Sequence, residues 1–249
     1  MKATSYGRIV FGASAVFYGV IALVWYDAQT WQTLAAIWKL PFGRVIGGCL
    51  MAAQIAGGIG IQFTRAARRA SIILGTVYLL FSLACVPGIL SAPGAYAEYP
   101  NFFEQFCLVC GAVALCAGTE RNAERAAVFA RLARLGLGVC TISFMLTQIV
   151  YLRATEDLVP KWIPPNQMFW AILTTIAFAL AAIAILLNVQ ARLAIRLMTL
   201  MLILFGVLVW IPRLIAHPDA HLNWSEFALN FLIAGAAGVV AESNSSSPR

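Results

Sequence analysis

The stretch "IPRLIAHPDAHLNW", residues 211–224, contains both histidines of the chain. His217 and His221 flank Asp219, Arg213 lies just upstream, and Glu226 follows two residues after the stretch ends. Two imidazoles and a carboxylate within five residues are the groups of a metal site, of a proton relay or of an ordinary polar loop. A zinc site takes three or four protein ligands, and His217, Asp219 and His221 supply at most three, so no metal is assigned. Pro218 disfavours helical backbone at His217, which places the pair in a loop. Arg213 is expected to pair with Glu226 or Asp219 and tie the loop down; the alternative is an anion or quinone-carbonyl site. A membrane haem with two axial histidines needs them on facing helices, and these two share one loop.

A second group is sulfur. Of six cysteines, Cys107 and Cys110 form "CLVC", the spacing of a dithiol redox motif, and Cys85 is expected at similar depth on the preceding helix. Against a redox role, cysteine in an apolar helix is usually a small hydrophobe. No Lys or His lies near enough in sequence to favour a thiolate, and Glu104 opposes one. Cys85, Cys107 and Cys110 therefore stand as candidates only. The other polar groups expected in apolar segments are Gln54, Gln105, Gln148 and Asn230, read as interhelical hydrogen bonds. No Asp, Glu or Arg is expected at mid-membrane, which argues against a proton-coupled transporter. Nothing resembles a phosphate-binding loop, a nucleophile elbow or a zincin helix.

The elements that must position these residues are membrane helices. Of 249 residues 61% are hydrophobic and only 11% charged, with a mean hydropathy of +0.84. A soluble domain carries about a quarter charged residues. The formal charge of +7 is thus a topology signal and not a nucleic-acid signal. Eight spans are predicted, near 8–26, 43–63, 70–90, 102–118, 135–152, 166–187, 194–212 and 225–241. The first lacks a small-residue cleavage site after its apolar run and is read as retained. With the N-terminus inside, twelve Lys and Arg fall on inner segments and five on outer ones, so both termini are expected in the cytoplasm.

All seven tryptophans, Trp25, Trp31, Trp38, Trp162, Trp170, Trp210 and Trp224, then fall on the outer side. An aromatic belt normally decorates both interfaces, so a structured outer cap is expected, with these residues as interfacial anchors. Trp31, Leu34 and Trp38 have the spacing of a short amphipathic helix between the first two spans.

A repeat organises the chain. Shifted by 125 residues, "VPGILSAPGAY" (86–96) meets "IPRLIAHPDAH" (211–221), and Gln105 meets Asn230. Two tandem four-helix units are predicted: 1–118 and 135–241, joined by an Arg-rich cytoplasmic linker, 119–134, and followed by a polar tail, 242–249. An even number of helices per unit makes the two units parallel repeats. Small residues, above all Gly47, Gly48, Ala52, Ala53, Gly57 and Gly58 of the second span, provide close contacts.

The second unit resembles the DoxX-like integral membrane proteins. The likeness is carried by "KWIPPNQMFWAILTTIAFALAAIAILL", "ARLAIRLMTLMLILFGVLVWIPRLIAHP" and "NWSEFALNFLIAGAAGVVA". It covers roughly 136–241, and the first unit matches as a degenerate copy. The resemblance implies an all-α bundle and a non-catalytic, accessory subunit of a larger membrane redox assembly. It implies other membrane subunits as partners and lipid, quinone or pigment contact, with no covalently bound cofactor. Two other readings stay open. One is a small quinone-linked thiol oxidoreductase; the other is a transporter or binder of a small apolar or anionic molecule.

Overall fold

The computed structural model describes residues 5–26 and 32–244; Trp31, the side chain of Leu34 and residues 245–249 of the polar tail lie outside that set. Helix starts are set by local capping. Ser5 accepts the Arg8 N–H at 3.2 Å and opens α1 (Tyr6–Trp25). The helices α2 (Gln32–Trp38), α3 (Gly43–Gly60) and α4 (Ala67–Ser91) follow, then a single turn at Tyr96–Glu98 and α5 (Tyr99–Thr119). Asn122 accepts the Arg125 N–H at 3.0 Å and starts α6 (Ala123–Val150). A short α7 (Leu152–Leu158) precedes α8 (Gln167–Leu186), where Asn166 accepts the Phe169 N–H at 2.8 Å. Such side chains satisfy donors that a helix start leaves open. The chain ends with α9 (Ala191–Phe205), a π turn (Gly206–Trp210), α10 (Ile211–Ala216) and α11 (His221–Ser243).

Seven of the helical stretches are long and apolar enough to cross a membrane, against eight expected. The one that falls short is α3, which has 18 residues, six of them glycine, together with Arg44 and Gln54. It nonetheless packs as the others do, between α1 and α4. Outward-facing Leu180, Ile183, Leu197 and Leu200 are exposed, as lipid-facing positions are.

The long helices close a ring. In order around it come α1, α3, α4, α5, α6, α8, α9 and α11, which returns to α1, and α5 also packs on α11 across the middle. The ring order and the α5–α11 contact are unchanged when α1, α3, α4 and α5 are exchanged for α6, α8, α9 and α11. Close approach needs small residues, because helices in lipid associate by contact and hydrogen bonding. A Cβ on Gly58 would lie 2.7 Å from the Gly12 carbonyl oxygen, so only glycine lets α3 touch α1 there. Gln54 supports the same contact by donating to the Ala15 carbonyl at 2.9 Å, the interhelical bond expected of it.

Three expectations change. The segment 119–134 is no separate linker: α6 runs unbroken from Ala123, because Asn122 caps it and no Pro interrupts it. At 1.5 Å per residue its 28 residues span about 42 Å, longer than the ~30 Å hydrocarbon layer. Its first turns carry the arginines, and Arg134 is buried against the end of α8, where it donates to the carbonyls of Ile185 and Leu186. The helix α7 was not foreseen. The tail also begins later, since Glu242 lies in α11 and accepts the Gly7 N–H at 3.1 Å and the Ser5 hydroxyl. The expected short helix before α3 is present as α2.

Candidate functional site

A cavity of about 520 Å³ opens among α6, α7, α8, α9, the π turn, α11 and the start of α5. Its walls are mostly apolar: Phe144, Leu173, Phe178, Leu202, Phe205 and Leu229 belong to them. The polar groups are few and come from different helices. Glu104 of α5 and Glu226 of α11 both line it, close enough for each charge to act on the other. Among the described residues neither carboxyl has a hydrogen-bond donor, and no Lys, Arg or His lines the cavity. Gln148 of α6 is oriented by α8, since its Oε1 accepts from Thr174 at 3.2 Å and Thr175 at 3.0 Å. That leaves the amide nitrogen as the end of Gln148 able to serve a guest. Trp170 holds the α8 side by donating from Nε1 to the Pro164 carbonyl at 2.8 Å. Tyr18 of α1 lies near both glutamates and meets the Gln105 amide behind them.

Phe11, Tyr18 and Phe81 are buried in the core. The residues 125 positions on are Gly136, Ser143 and Gly206. At Gly206 a Cβ would run into the Phe231 ring, 2.6 Å from Cζ, and lie 3.0 Å from Asn230 Nδ2. Glycine there lets α11 close on α9, and Asn230 donates to the Leu202 carbonyl at 2.7 Å. The backbone widens into the π turn at the same point, a local distortion often found at functional sites. The matching stretch of α4, Phe81–Cys85, stays α-helical.

The outer loop of the sequence analysis does not assemble. His217 ends α10, exposed, with its N–H donating to the Arg213 carbonyl at 2.9 Å. Asp219 is exposed in the turn. His221 starts α11, buried, and its ring stacks on Trp25 with centroids 5.2 Å apart. Among the described residues no group of three His, Cys, Asp or Glu could hold a metal. The expected pairing of Arg213 with Glu226 or Asp219 is overturned: the guanidinium lies over the Trp210 ring at 5.7 Å and donates to the Asp157 carbonyl at 3.5 Å. Glu226 turns inward to the cavity instead, because α11 begins at His221 and carries it more than a turn below the loop.

Of the tryptophans, Trp25, Trp38, Trp162, Trp170, Trp210 and Trp224 sit at or beside helix ends that alternation places on one side of the bundle. Arg44 lies 5.2 Å over Trp38, and Trp224 donates to the Pro218 carbonyl at 2.8 Å. Trp162 is 70% exposed.

The cysteines group differently from the expectation. Cys107 and Cys110 meet Cys140 of α6, all three buried, whereas Cys85 has Glu98 and Glu104 for neighbours and donates its thiol to the Phe81 carbonyl. The six thiols are free. A further groove, about 640 Å³, lies at the other end of α4, α5 and α6, with the Arg68–Glu120 ion pair of 2.9 Å at its edge.

Sequence reasoning missed Glu104 as a site residue and placed no acid deep in a helix. The signal was present: Glu104 is the one acid within α5, and Glu226 occupies the same sixth position of α11. Gln105 and Asn230 each reach another helix, as expected of them, but with different partners: Asn230 reaches α9 and Gln105 meets Tyr18 of α1. Comparison of the chain with family models, with curated proteins and with solved structures gave no match.

Proposed function

We propose that the protein is an eight-span protein of the inner (plasma) membrane, built from two tandem DoxX-like four-helix units with both termini cytoplasmic. Its second unit binds a small, largely apolar molecule. The eighth span is α3, which packs in series with the others. Duplication is supported by matched caps. Ala92 has φ −142° and ψ 65°, and His217, 125 residues on, has φ −139° and ψ 72°. Orientation rests on the arginine asymmetry of the sequence.

One observation carries the binding reading: an apolar cavity of about 520 Å³ into which two carboxyls without hydrogen-bond donors open. Ligand sites have this composition and size, roughly 300–1,000 Å³ with few polar groups. Acids within a membrane helix are costly and mark sites by default. A place beside a larger redox assembly stays compatible with this, whereas the thiol–quinone reading loses ground because Cys107 and Cys110 are shut in the core.

The test uses purified protein in detergent and the neutral fluorescent probe N-phenylnaphthylamine. Ala177 lines the cavity, and Ala177→Trp fills it. Saturable binding to the wild type and its loss in the folded variant is the expected result. Equal fluorescence with both proteins would overturn the reading.

A further inference from the structure

The acidic and basic groups that line the cavity among the described residues are of one sign. Glu104 and Glu226 open into it from helices that pack on each other, and among the described residues no Lys, Arg or His lines it. Buried charges are held by partners, and removing a partner leaves a large penalty. Here no such partner is present among the described residues. Tyr18, which lies near both glutamates, is itself a weak acid and brings no positive charge. At the rim, Arg213 is engaged with Trp210 and the Asp157 carbonyl, and Arg153 with Glu156 at 2.9 Å. Neither lines the cavity.

The apolar part of the lining is also suited to a cation. Trp170, Trp210, Phe144, Phe178 and Phe205 surround the space, and aromatic faces attract ammonium groups. The rest is aliphatic, and the volume exceeds what an inorganic cation needs. The occupant that satisfies both halves is an amphiphile with a positive head and an apolar body.

We infer that the cavity selects a monocationic amphiphilic amine, its ammonium held between Glu104 and Glu226 and its apolar body against Phe144, Phe178 and Phe205. This rests on the binding reading above and adds the charge of the guest. Gln148, its Oε1 taken by Thr174 and Thr175, brings no charge.

Three probes of one skeleton separate the possibilities: diphenylpropylamine, diphenylpropanol and diphenylpropionate, measured by displacement of N-phenylnaphthylamine from protein in detergent. The amine is expected to bind the wild type about tenfold or more tightly than the alcohol, the difference one well-placed charge pair makes. In Glu104→Gln and Glu226→Gln the amine should fall to the level of the alcohol, and unchanged alcohol binding certifies the fold. Equal binding of amine and alcohol by the wild type, tighter binding of the carboxylate, or an advantage that persists in both variants would overturn the inference alone. If no probe prefers the wild type over Ala177→Trp, the binding reading itself fails.

Discussion

Tyr99 and Trp224, 125 residues apart in the chain, make the same bond. The Tyr99 hydroxyl donates to the Pro93 carbonyl at 3.0 Å, and the Trp224 indole N–H donates to the Pro218 carbonyl at 2.8 Å. Each bond reaches back six residues and pins the turn that follows a proline-containing helix to the start of the next helix. Backbone bonds repeat as well: Ala92 N–H to Gly88 at 3.2 Å matches His217 N–H to Arg213 at 2.9 Å. Tyr99→Phe removes one staple without loss of volume and should lower stability by about 0.5–1 kcal/mol. A thermal melt in detergent checks it. The second staple is distant, so Tyr99→Phe combined with Trp224→Phe should cost the sum of the single effects.

Arg134 takes a different part from the other arginines of its segment. Its guanidinium donates to the Ile185 and Leu186 carbonyls at the end of α8, where a helix leaves carbonyls short of intrahelical donors. Arg134→Leu leaves the Ile185 carbonyl with the Asn188 N–H alone and takes the guanidinium from the Leu186 carbonyl, and is expected to cost about 1–3 kcal/mol. Arg134→Lys restores one donor and should recover part of the loss. Melting temperatures of the three proteins decide it, and equal values for wild type and Arg134→Leu would refute the capping role.

Apolar runs and arginine counts made most of the helices legible, because lipid demands both. The helix α3 is the exception: the glycines that let it touch α1 also dilute its hydropathy. Asn122 was a visible cap, yet the arginines after it read as a surface segment, since a sequence does not say that α6 outlasts the bilayer. The loop of residues 211–224 drew attention by residue type, but chemistry follows convergence. Helical rise separates Glu226 from the histidines and brings it to Glu104, a residue whose distance in sequence hid the pair. The cavity was hidden for the same reason, because its lining is drawn from helices as far apart in sequence as α5 and α11.

Glu120, at the polar end of α5, makes an acid-dependent joint. Its carboxylate accepts the backbone N–H of Arg121 at 2.8 Å and of Asn122 at 3.2 Å, and it pairs with Arg68. The Asn122 and Arg121 bonds, and then the Arg68 and Arg125 charges, hold its pKa below the usual value of 4.5. A carboxyl depressed in the folded state adds stability above its unfolded pKa and loses it as pH falls through the folded value. Melting temperature should therefore be level from neutral pH down to about 5 and fall below 4.5. In Glu120→Gln this part of the acid fall should vanish, so the wild type loses more on acidification than the variant. Parallel pH profiles would show that the joint adds nothing.

Gly206 is where a single atom should tell most about the cavity. The residue sits at the head of the π turn, with the Phe231 ring and the Asn230 amide in the space that a Cβ would take. Gly206→Ala forces α11 away from α9 or moves the Phe231 ring, and overpacking of this kind costs about 1–3 kcal/mol. Because Asn230 donates to Leu202 across the same contact, the displacement should weaken that bond too. The wall of the cavity runs through Leu202, Phe205, Leu208 and Asn230, so probe affinity should fall together with stability. Glycine at the matching position of the other half, Phe81→Gly, instead empties a filled core and should cost about 3–5 kcal/mol, the range for deleting a buried Phe side chain. Probe affinity at the cavity of the second half should then stay at the wild-type level. Loss of probe binding with Phe81→Gly and its survival with Gly206→Ala would show that the π turn does not shape the site.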